Sequence, residues 1–203
     1  MTKKINPNSL LILYEGETEG EFYKLVSEKF IPPRKIKINY SNLKGVYNIT
    51  KKVESKIESY LLNATFITCN HIHIFVAYDR EGTREKESLL DIEYLKSEFL
   101  YKKSRIASIN EIVATQDLES WFFHDLEGIY KFLKVPENQK NYKAYINVEA
   151  TNNTILSALF HKFNKHYQKG KRAQGFISQL DIDKIVCNVK ELNDAIQIIK
   201  SYL

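Results

Sequence analysis

The chain has 203 residues, of which 43% are hydrophobic and 12% aromatic, so one domain with a core of ordinary size is expected and overall disorder is not. The formal net charge of +5 is mild, and it permits nucleic-acid binding without demonstrating it. No apolar run reaches the length of a membrane span, and Cys69 and Cys187 have no CxxC spacing, which favours a cytoplasmic protein without a structural zinc site.

The first predicted elements are a strand and a helix. Residues 9–14 form a short apolar run that is typical of a buried strand. Thr18 and Glu21 have the spacing of a capping box, which predicts a helix that begins near Glu19. The proline pair that starts at Pro32 should end this helix.

The middle of the chain continues to alternate between strands and helices. Strands are predicted over residues 35–40, 71–78 and 105–115, and the second of these is the clearest because it is rich in β-branched side chains. Helices are predicted over residues 48–62 and 87–100 from their apolar spacing. Strands that alternate with helices indicate a mostly parallel sheet.

The last part of the chain is predicted to be mostly helical. Amphipathic patterns predict helices over residues 118–133, 154–167 and 190–203. Residues 184–189 are the one candidate for a further strand. We therefore expect an α/β, Rossmann-like fold with helices on both faces of the sheet over residues 1–135, and a helical extension packed on it over residues 136–203.

Three apolar segments run directly into carboxylates. Glu15 follows the first strand, Asp79 and Glu81 follow the third, and Asp117 and Glu119 follow the fourth. Because ligands bind beyond the carboxyl ends of parallel strands, these acids should meet at one edge of the sheet. Clustered oxygen ligands suit Mg²⁺ or Mn²⁺, which predicts a metal site.

Several acids at or near these strand ends also have a simpler interpretation. The acids of the first helical turn, Glu17, Glu19 and Glu21, are interpreted as solvated side chains that stabilise the helix dipole. The pair Asp79 and Glu81 fits a surface loop of mixed charge as well as a metal site. Glu119, likewise, could simply pair with a basic residue.

Basic residues close to the acids have two interpretations as well. Lys169, Lys171 and Arg172 are our candidates for contacts to substrate phosphates, and the alternative is a solvated basic loop. An acidic pocket bordered by basic patches is the arrangement that a phosphodiester substrate requires. The chain contains no P-loop and no GxGxxG motif, so we do not expect it to hydrolyse nucleotides itself.

The order of these motifs resembles a Toprim domain. Such domains have a Glu-Gly turn after the first strand, as in YEGETE at residues 14–19, and an Asp-x-Asp pair after a later strand, as in Asp79-Arg80-Glu81. The EG-x-TE form is similar to the RloB-like and OLD-type nuclease groups. Residues 116–122 (QDLESWF) resemble their FE-x-W stretch, and residues 167–171 (YQKGK) resemble their Y-x-KG region, so the resemblance spans most of the chain.

The resemblance implies phosphoryl-transfer chemistry. It makes Asp79 and Glu81 ligands of Mg²⁺ or Mn²⁺, and it makes Glu15 a further ligand or a general acid/base. With Glu119 as a ligand, a second ion could be held, and Lys169 would offset charge on the scissile phosphate. Glu81 departs from the family, which usually has Asp there, and the longer side chain would shift the geometry of the metal site.

The resemblance also implies partners. It indicates a nuclease that cleaves DNA or RNA in bacterial anti-phage defence together with an ABC-type ATPase, and it leaves a homo-oligomer open. The alternative is a non-catalytic module of the same fold that docks an ATPase or nucleic acid. We expect no membrane partner in either case.

Overall fold

Four parallel strands form the sheet at the centre of the protein, in the order β2-β1-β3-β4. The computed structural model describes residues 8–33, 35–63, 69, 71–80, 89–101 and 105–203. The strands are β1 (Asn8–Tyr14), β2 (Lys37–Asn42), β3 (His71–Asp79) and β4 (Ile106–Ala114). Since every adjacent pair is parallel, the predicted α/β architecture is confirmed.

Helices cover both faces of this sheet. In chain order they are α1 (Glu17–Phe30), α2 (Ile49–Leu62), α3 (Ile92–Phe99), α4 (Leu118–Phe122), α5 (Leu126–Leu133), α6 (Asn153–Lys162), α7 (Gln174–Ile177), α8 (Ile182–Asn188) and α9 (Lys190–Ser201). The predicted helix over residues 87–100 corresponds to α3, and the part of it before residue 89 lies outside the described residues. Within the described ranges, no helix is both long enough and apolar enough to cross a membrane.

Two hydrophobic clusters lie on opposite faces of the sheet, because successive side chains of a strand point to opposite sides. On one face, Leu11 and Leu13 of β1 pack with apolar residues of α2 and α3. On the other, Leu10 and Ile12 pack with α1 and with the helices that follow β4, α9 included. Residues of both predicted segments, 1–135 and 136–203, therefore share one cluster.

The start of α1 differs from the prediction. The helix begins at Glu17, and its N-cap is Gly16, which makes no side-chain capping hydrogen bond. The hydroxyl of Thr18 instead accepts a hydrogen bond from the backbone N–H of Gly170 at 2.7 Å. The predicted capping box with Glu21 is therefore wrong, because a contact from far along the chain occupies the threonine.

The predicted helix over residues 118–133 is interrupted. A 3₁₀ turn at Phe123–Asp125 separates α4 from α5. The carboxylate of Asp125 starts α5 as its N-cap, because it accepts a hydrogen bond from the backbone N–H of Gly128 at 3.3 Å. Its other oxygen accepts the backbone N–H of Asp181 at 2.8 Å.

Two predictions for the last part of the chain are corrected. The helix predicted over residues 154–167 ends at Lys162, and Asn164 adopts a left-handed conformation soon after it. Residues 184–189 belong to α8 and the residue that follows it, so the predicted strand is wrong. Asp181 caps this helix through the backbone N–H of Lys184, a local signal that decides between helix and strand for a short apolar run.

Candidate functional site

Carboxylates from three strand ends meet at one edge of the sheet. Strands β1, β3 and β4 are parallel neighbours, so their carboxyl ends lie side by side. Glu15 follows β1, Asp79 ends β3, and Glu119 lies in the first turn of α4 after β4. Glu15 accepts a hydrogen bond through Oε2 from the backbone N–H of Asp79 at 3.2 Å, so these two residues lie together as predicted from the sequence.

Glu19 is a fourth member of this group, and the sequence interpretation missed it. Its side chain lies in the first turn of α1 but is only 9% exposed. Burial, together with the charges of Glu119 and Glu15, raises its pKa to about 7. We call Glu15, Glu19, Asp79 and Glu119 the carboxylate cluster.

A pattern in the sequence could have identified Glu19. It precedes Phe22, Tyr23 and Val26 at helical spacing, and these three residues form the buried stripe of α1. The turn before the helix also accommodates it, since a Cβ atom on Gly16 would lie 2.8 Å from Oε2 of Glu19. The glycine therefore leaves room for the carboxylate of Glu19 to fold back against the strand end.

The carboxyl group of Asp79 has a strongly raised pKa. Burial raises its pKa to about 9, and the charges of Glu19, Glu15 and Glu119 add to this effect. A backbone hydrogen bond from Leu118 acts in the opposite direction but is outweighed. Without a cation, the carboxyl group of Asp79 therefore holds a proton at neutral pH.

Glu119 has one satisfied and one unsatisfied oxygen. Its side chain is 1% exposed, and Oε1 accepts a hydrogen bond from the hydroxyl of Tyr167 at 3.0 Å and lies 3.5 Å from Nζ of Lys169. Oε2 is buried and has no hydrogen-bond partner among the described residues. A buried carboxylate oxygen without a partner is unfavourable, so this atom is available to a ligand.

Residues 167–173, which we call the C-terminal arm, bring Tyr167 and Lys169 to the carboxylate cluster. The arm is fixed to the start of α1 by the hydrogen bond between Gly170 and Thr18. Gly170 has a φ of 78°, and a Cβ atom there would lie 2.9 Å from Oε2 of Glu17, so a glycine is needed for this close approach. Partial burial opposes the charge of Lys169, but Glu119 and the other nearby acids raise its pKa overall.

Two of the other predicted site residues, Lys171 and Arg172, lie at the edge of this arrangement. Lys171 and Arg172 are exposed in the 3₁₀ turn Gly170–Ala173, and neither forms an ion pair within the described part of the chain. Glu81, the remaining predicted metal ligand, is not among the described residues.

Asp117 has a structural role beside the site. One of its oxygens caps α4 by accepting the backbone N–H of Ser120 at 3.1 Å. The other accepts the backbone N–H of Asn153 at 2.7 Å. Asp117 therefore joins α4 to the start of α6 and positions the turn that carries Glu119.

An open groove of about 630 Å³ lies beside the carboxylate cluster. Glu15 and Glu19 contribute to its acidic part, and Lys44 and Lys169 contribute cations. Lys44 belongs to the loop after β2 and was not identified from the sequence. A groove with both acids and bases could accept a phosphate group together with a cation.

The donor atoms of the carboxylate cluster match a hard cation such as Mg²⁺ or Mn²⁺, which prefers carboxylate oxygens. Oε2 of Glu119, which has no hydrogen-bond partner among the described residues, could serve as a ligand. A cation could also replace the proton that the raised pKa of Asp79 favours. Among the residues that the structure describes, however, no group of three or more His, Cys, Asp or Glu side chains is arranged to hold a metal ion. Comparisons of the chain with family models, with curated proteins and with solved structures give no match.

Proposed function

We propose that this chain is a metal-dependent nuclease of the Toprim type, which hydrolyses phosphodiester bonds of DNA or RNA. The observation that carries the proposal is the carboxylate cluster, in which acids from three strand ends gather in a mostly buried position. Buried carboxylates repel each other and lose hydration, so protons or a cation must neutralise them. The resemblance of the motifs to the RloB-like and OLD-type groups supports the same proposal.

In this proposal, Glu15, Asp79 and Glu119 would hold Mg²⁺ or Mn²⁺, with Glu81 as the fourth predicted ligand. When bound, such an ion supplies positive charge that stabilises the attacking and leaving oxygens of the phosphate. The backbone N–H of Asp79 holds one oxygen of Glu15, which orients the side chain. Tyr167 and Lys169 orient Glu119 in the same way.

Two residues of the groove act on the substrate directly. Lys169, whose side chain is 55% exposed, reaches a phosphate oxygen from beside Glu119 and offsets its developing charge. Glu15 is half-buried at the border of the groove, and if it did not bind the ion it would instead take the proton of the attacking water as a general base. Lys171 and Arg172, which are exposed on the C-terminal arm, contact phosphates further along the nucleic-acid substrate.

A non-catalytic module of the same fold is the second candidate, and one observation favours it. The described residues include no ready set of three metal ligands, and protons on Asp79 and Glu19 could neutralise the carboxylate cluster without a cation. In that case the fold would dock an ATPase or nucleic acid. Glu81→Ala separates the two candidates, because only a metal-dependent enzyme should lose function with it.

Cleavage assays test the nuclease proposal directly. Purified protein is incubated with plasmid DNA and with tRNA in Mg²⁺ or Mn²⁺, with and without the ABC-type ATPase that we propose as its partner in anti-phage defence. We expect cleavage, and a loss of about 10²- to 10⁴-fold in Glu15→Gln and Asp79→Asn because each removes an ionisable group from the reaction.

The matched control for these variants is Glu93→Gln on α3. Glu93 is an exposed carboxylate that pairs with Lys96 at 2.9 Å, and this variant should cleave at the wild-type rate. If the wild type cuts neither substrate with either metal, even with the ATPase present, the nuclease proposal is wrong. If the wild type cuts and Asp79→Asn cuts equally well, the assignment of the site is wrong.

A further inference from the structure

The loop between β2 and α2, residues 43–48, is held firmly beside the carboxylate cluster. The backbone N–H of Gly45 donates to the carbonyl oxygen of Glu15 at 3.0 Å. Lys52 of α2 donates through Nζ to the carbonyl oxygens of Lys44 at 2.9 Å and Gly45 at 3.0 Å. We call this segment the β2–α2 loop, and its backbone is tied both to the strand end that carries Glu15 and to α2.

Two residues of the β2–α2 loop have left-handed backbone conformations. Lys44 has a φ of 58° and Asn48 a φ of 51°, left-handed values that are unfavourable for residues other than glycine. Such conformations persist where the surrounding contacts determine them, and they are frequent at binding sites. Here they leave the side chain of Lys44 exposed in the groove that also contains Glu15 and Lys169.

Lys44 is free to bind an anion. It forms no ion pair with any residue that the structure describes, in contrast to Lys169, which lies 3.5 Å from Glu119. A phosphate group that lies in the groove beside Glu15 could therefore be contacted from the β2–α2 loop as well as from the C-terminal arm.

Tyr47 follows on the same loop and is 81% exposed. It lines a second groove of about 610 Å³. Val46 also lines this groove, and its neighbour in sequence, Gly45, lines the groove beside the carboxylate cluster. Tyr94 of α3 also lines this second groove and is 39% exposed, and its hydroxyl donates to Oε1 of Glu54 at 2.9 Å. Two exposed aromatic rings thus line a groove that borders the same β2–α2 loop as the groove beside the carboxylate cluster.

The two acids that line the second groove each accept a hydrogen bond. Glu54 accepts the hydroxyl hydrogen bond of Tyr94, and Asp91 caps α3 by accepting the backbone N–H of Tyr94 at 3.0 Å. Lys51, in contrast, is exposed on the first turn of α2 and lines the same groove. The two grooves on either side of the β2–α2 loop therefore present cations and aromatic faces, which is the combination that binds single-stranded nucleic acids.

We infer that the β2–α2 loop binds single-stranded nucleic acid next to the proposed nuclease site, with Lys44 on a phosphate and Tyr47 stacked on an unpaired base. This inference rests on the proposed nuclease function of the neighbouring site, and it adds that the substrate of that nuclease is single-stranded. A duplex keeps its base faces stacked inside the helix, so a solvent-exposed ring such as Tyr47 can stack only on an unpaired base.

Binding is measured by fluorescence anisotropy in EDTA, with labelled single-stranded DNA and RNA and with the matching duplexes. The wild type should bind a single strand more tightly than a duplex. Tyr47→Ala should weaken single-strand binding by about 5- to 100-fold, since it removes one stacking contact, and Tyr47→Trp should retain it. Lys44→Gln should lower the slope of log affinity against log salt concentration by about 0.7, because one phosphate contact is lost.

The matched control is Tyr101→Ala. Tyr101 is 83% exposed but lies before β4, at the amino edge of the sheet away from the carboxylate cluster, so this variant should bind like the wild type. The inference is overturned if Tyr47→Ala binds like the wild type, if Tyr101→Ala shows an equal loss, or if the wild type prefers the duplex. In those cases, the exposure of Tyr47 would be explained instead by a partner protein that binds in this groove.

This experiment separates the inference from the nuclease proposal, because binding in EDTA requires no metal and no cleavage. A protein that binds single strands through Tyr47 but never cuts contradicts the nuclease and supports the inference. A protein that cuts equally well with Tyr47→Ala supports the nuclease and contradicts the inference. The relative affinities for DNA and RNA single strands identify which nucleic acid the groove prefers.

Discussion

The carboxyl group of Asp79 shows how burial and neighbouring charges set the chemistry of one residue. It is 8% exposed, and burial with the charges of Glu19 and Glu15 raises its pKa to about 9. In the unfolded chain, where none of these neighbours is close, the group ionises near its ordinary pKa of 3.8. Folding without a cation therefore forces a proton onto Asp79 at neutral pH, and that uptake lowers stability.

Asp79→Asn should stabilise the metal-free protein at about pH 8. Asparagine has the shape of the protonated acid but no carboxylate to ionise in the unfolded state, so the linked proton uptake disappears. We expect the melting temperature in EDTA to rise by at least about 2–4 °C, which corresponds to about 1 kcal/mol in a chain of this size. Near pH 4 the two proteins should melt at similar temperatures, and a less stable variant at pH 8 would contradict the assigned environment of Asp79.

The stability of the metal-free wild type should fall as the pH rises. Glu19 and Asp79 have folded-state pKa values of about 7 and about 9, both above their ordinary values. The folded state then binds more protons than the unfolded state, so the stabilisation is fully present below about pH 4 and is lost as the pH rises through 7 and 9. Urea unfolding in EDTA over this pH range measures the slope, and a stability that increases from pH 5 to pH 9 would rule out the protonated cluster.

At the scale of the elements, the C-terminal arm is joined to the start of α1 at the site. Tyr167 and Lys169 reach Glu119 only because Gly170 lies against Glu17 and donates to Thr18. Thr18 is 3% exposed, so its hydroxyl is protected from water.

Thr18→Val should therefore impair cleavage more than folding. The substitution keeps the shape of the side chain but removes the acceptor for Gly170, which loosens the arm and displaces Lys169. We expect a fall in kcat of about tenfold to a hundredfold, because small misplacements of a positioned group are costly in rate. Ser97→Ala removes an exposed hydroxyl on α3 that donates to the carbonyl of Tyr94 at 2.7 Å, and it serves as the control. Cleavage at the wild-type rate by Thr18→Val would exclude this role of the arm.

The elements also show how far the sequence could be interpreted. The convergence of Glu15, Asp79 and Glu119 could be predicted because an apolar run followed by an acid marks a strand end, and parallel strands end at one edge. The start of α1 could not, since Thr18 is bonded to Gly170, 152 positions away. Glu19 is ambiguous from the sequence, because an acid in the first turn of a helix is typical of a solvated side chain while its spacing matches the buried stripe of α1.

At the scale of the whole molecule, charge is unevenly distributed. The chain carries a net charge of +5, yet four acids of the carboxylate cluster share one edge of the sheet. The exposed cations Lys44, Lys171 and Arg172 lie on the segments that flank this edge. A positively charged protein with an acidic centre can attract a polyanion and still hold a cation at the point of contact.

The most direct test of the account is a crystal structure of the wild type soaked in Mn²⁺, with the ion located by its anomalous scattering. The account predicts an anomalous peak at the carboxyl edge of the sheet, with oxygens of Glu15 and Asp79 within roughly 2.0 to 2.4 Å of it. A manganese position elsewhere on the protein, or no anomalous peak between these two carboxylates, would contradict the account.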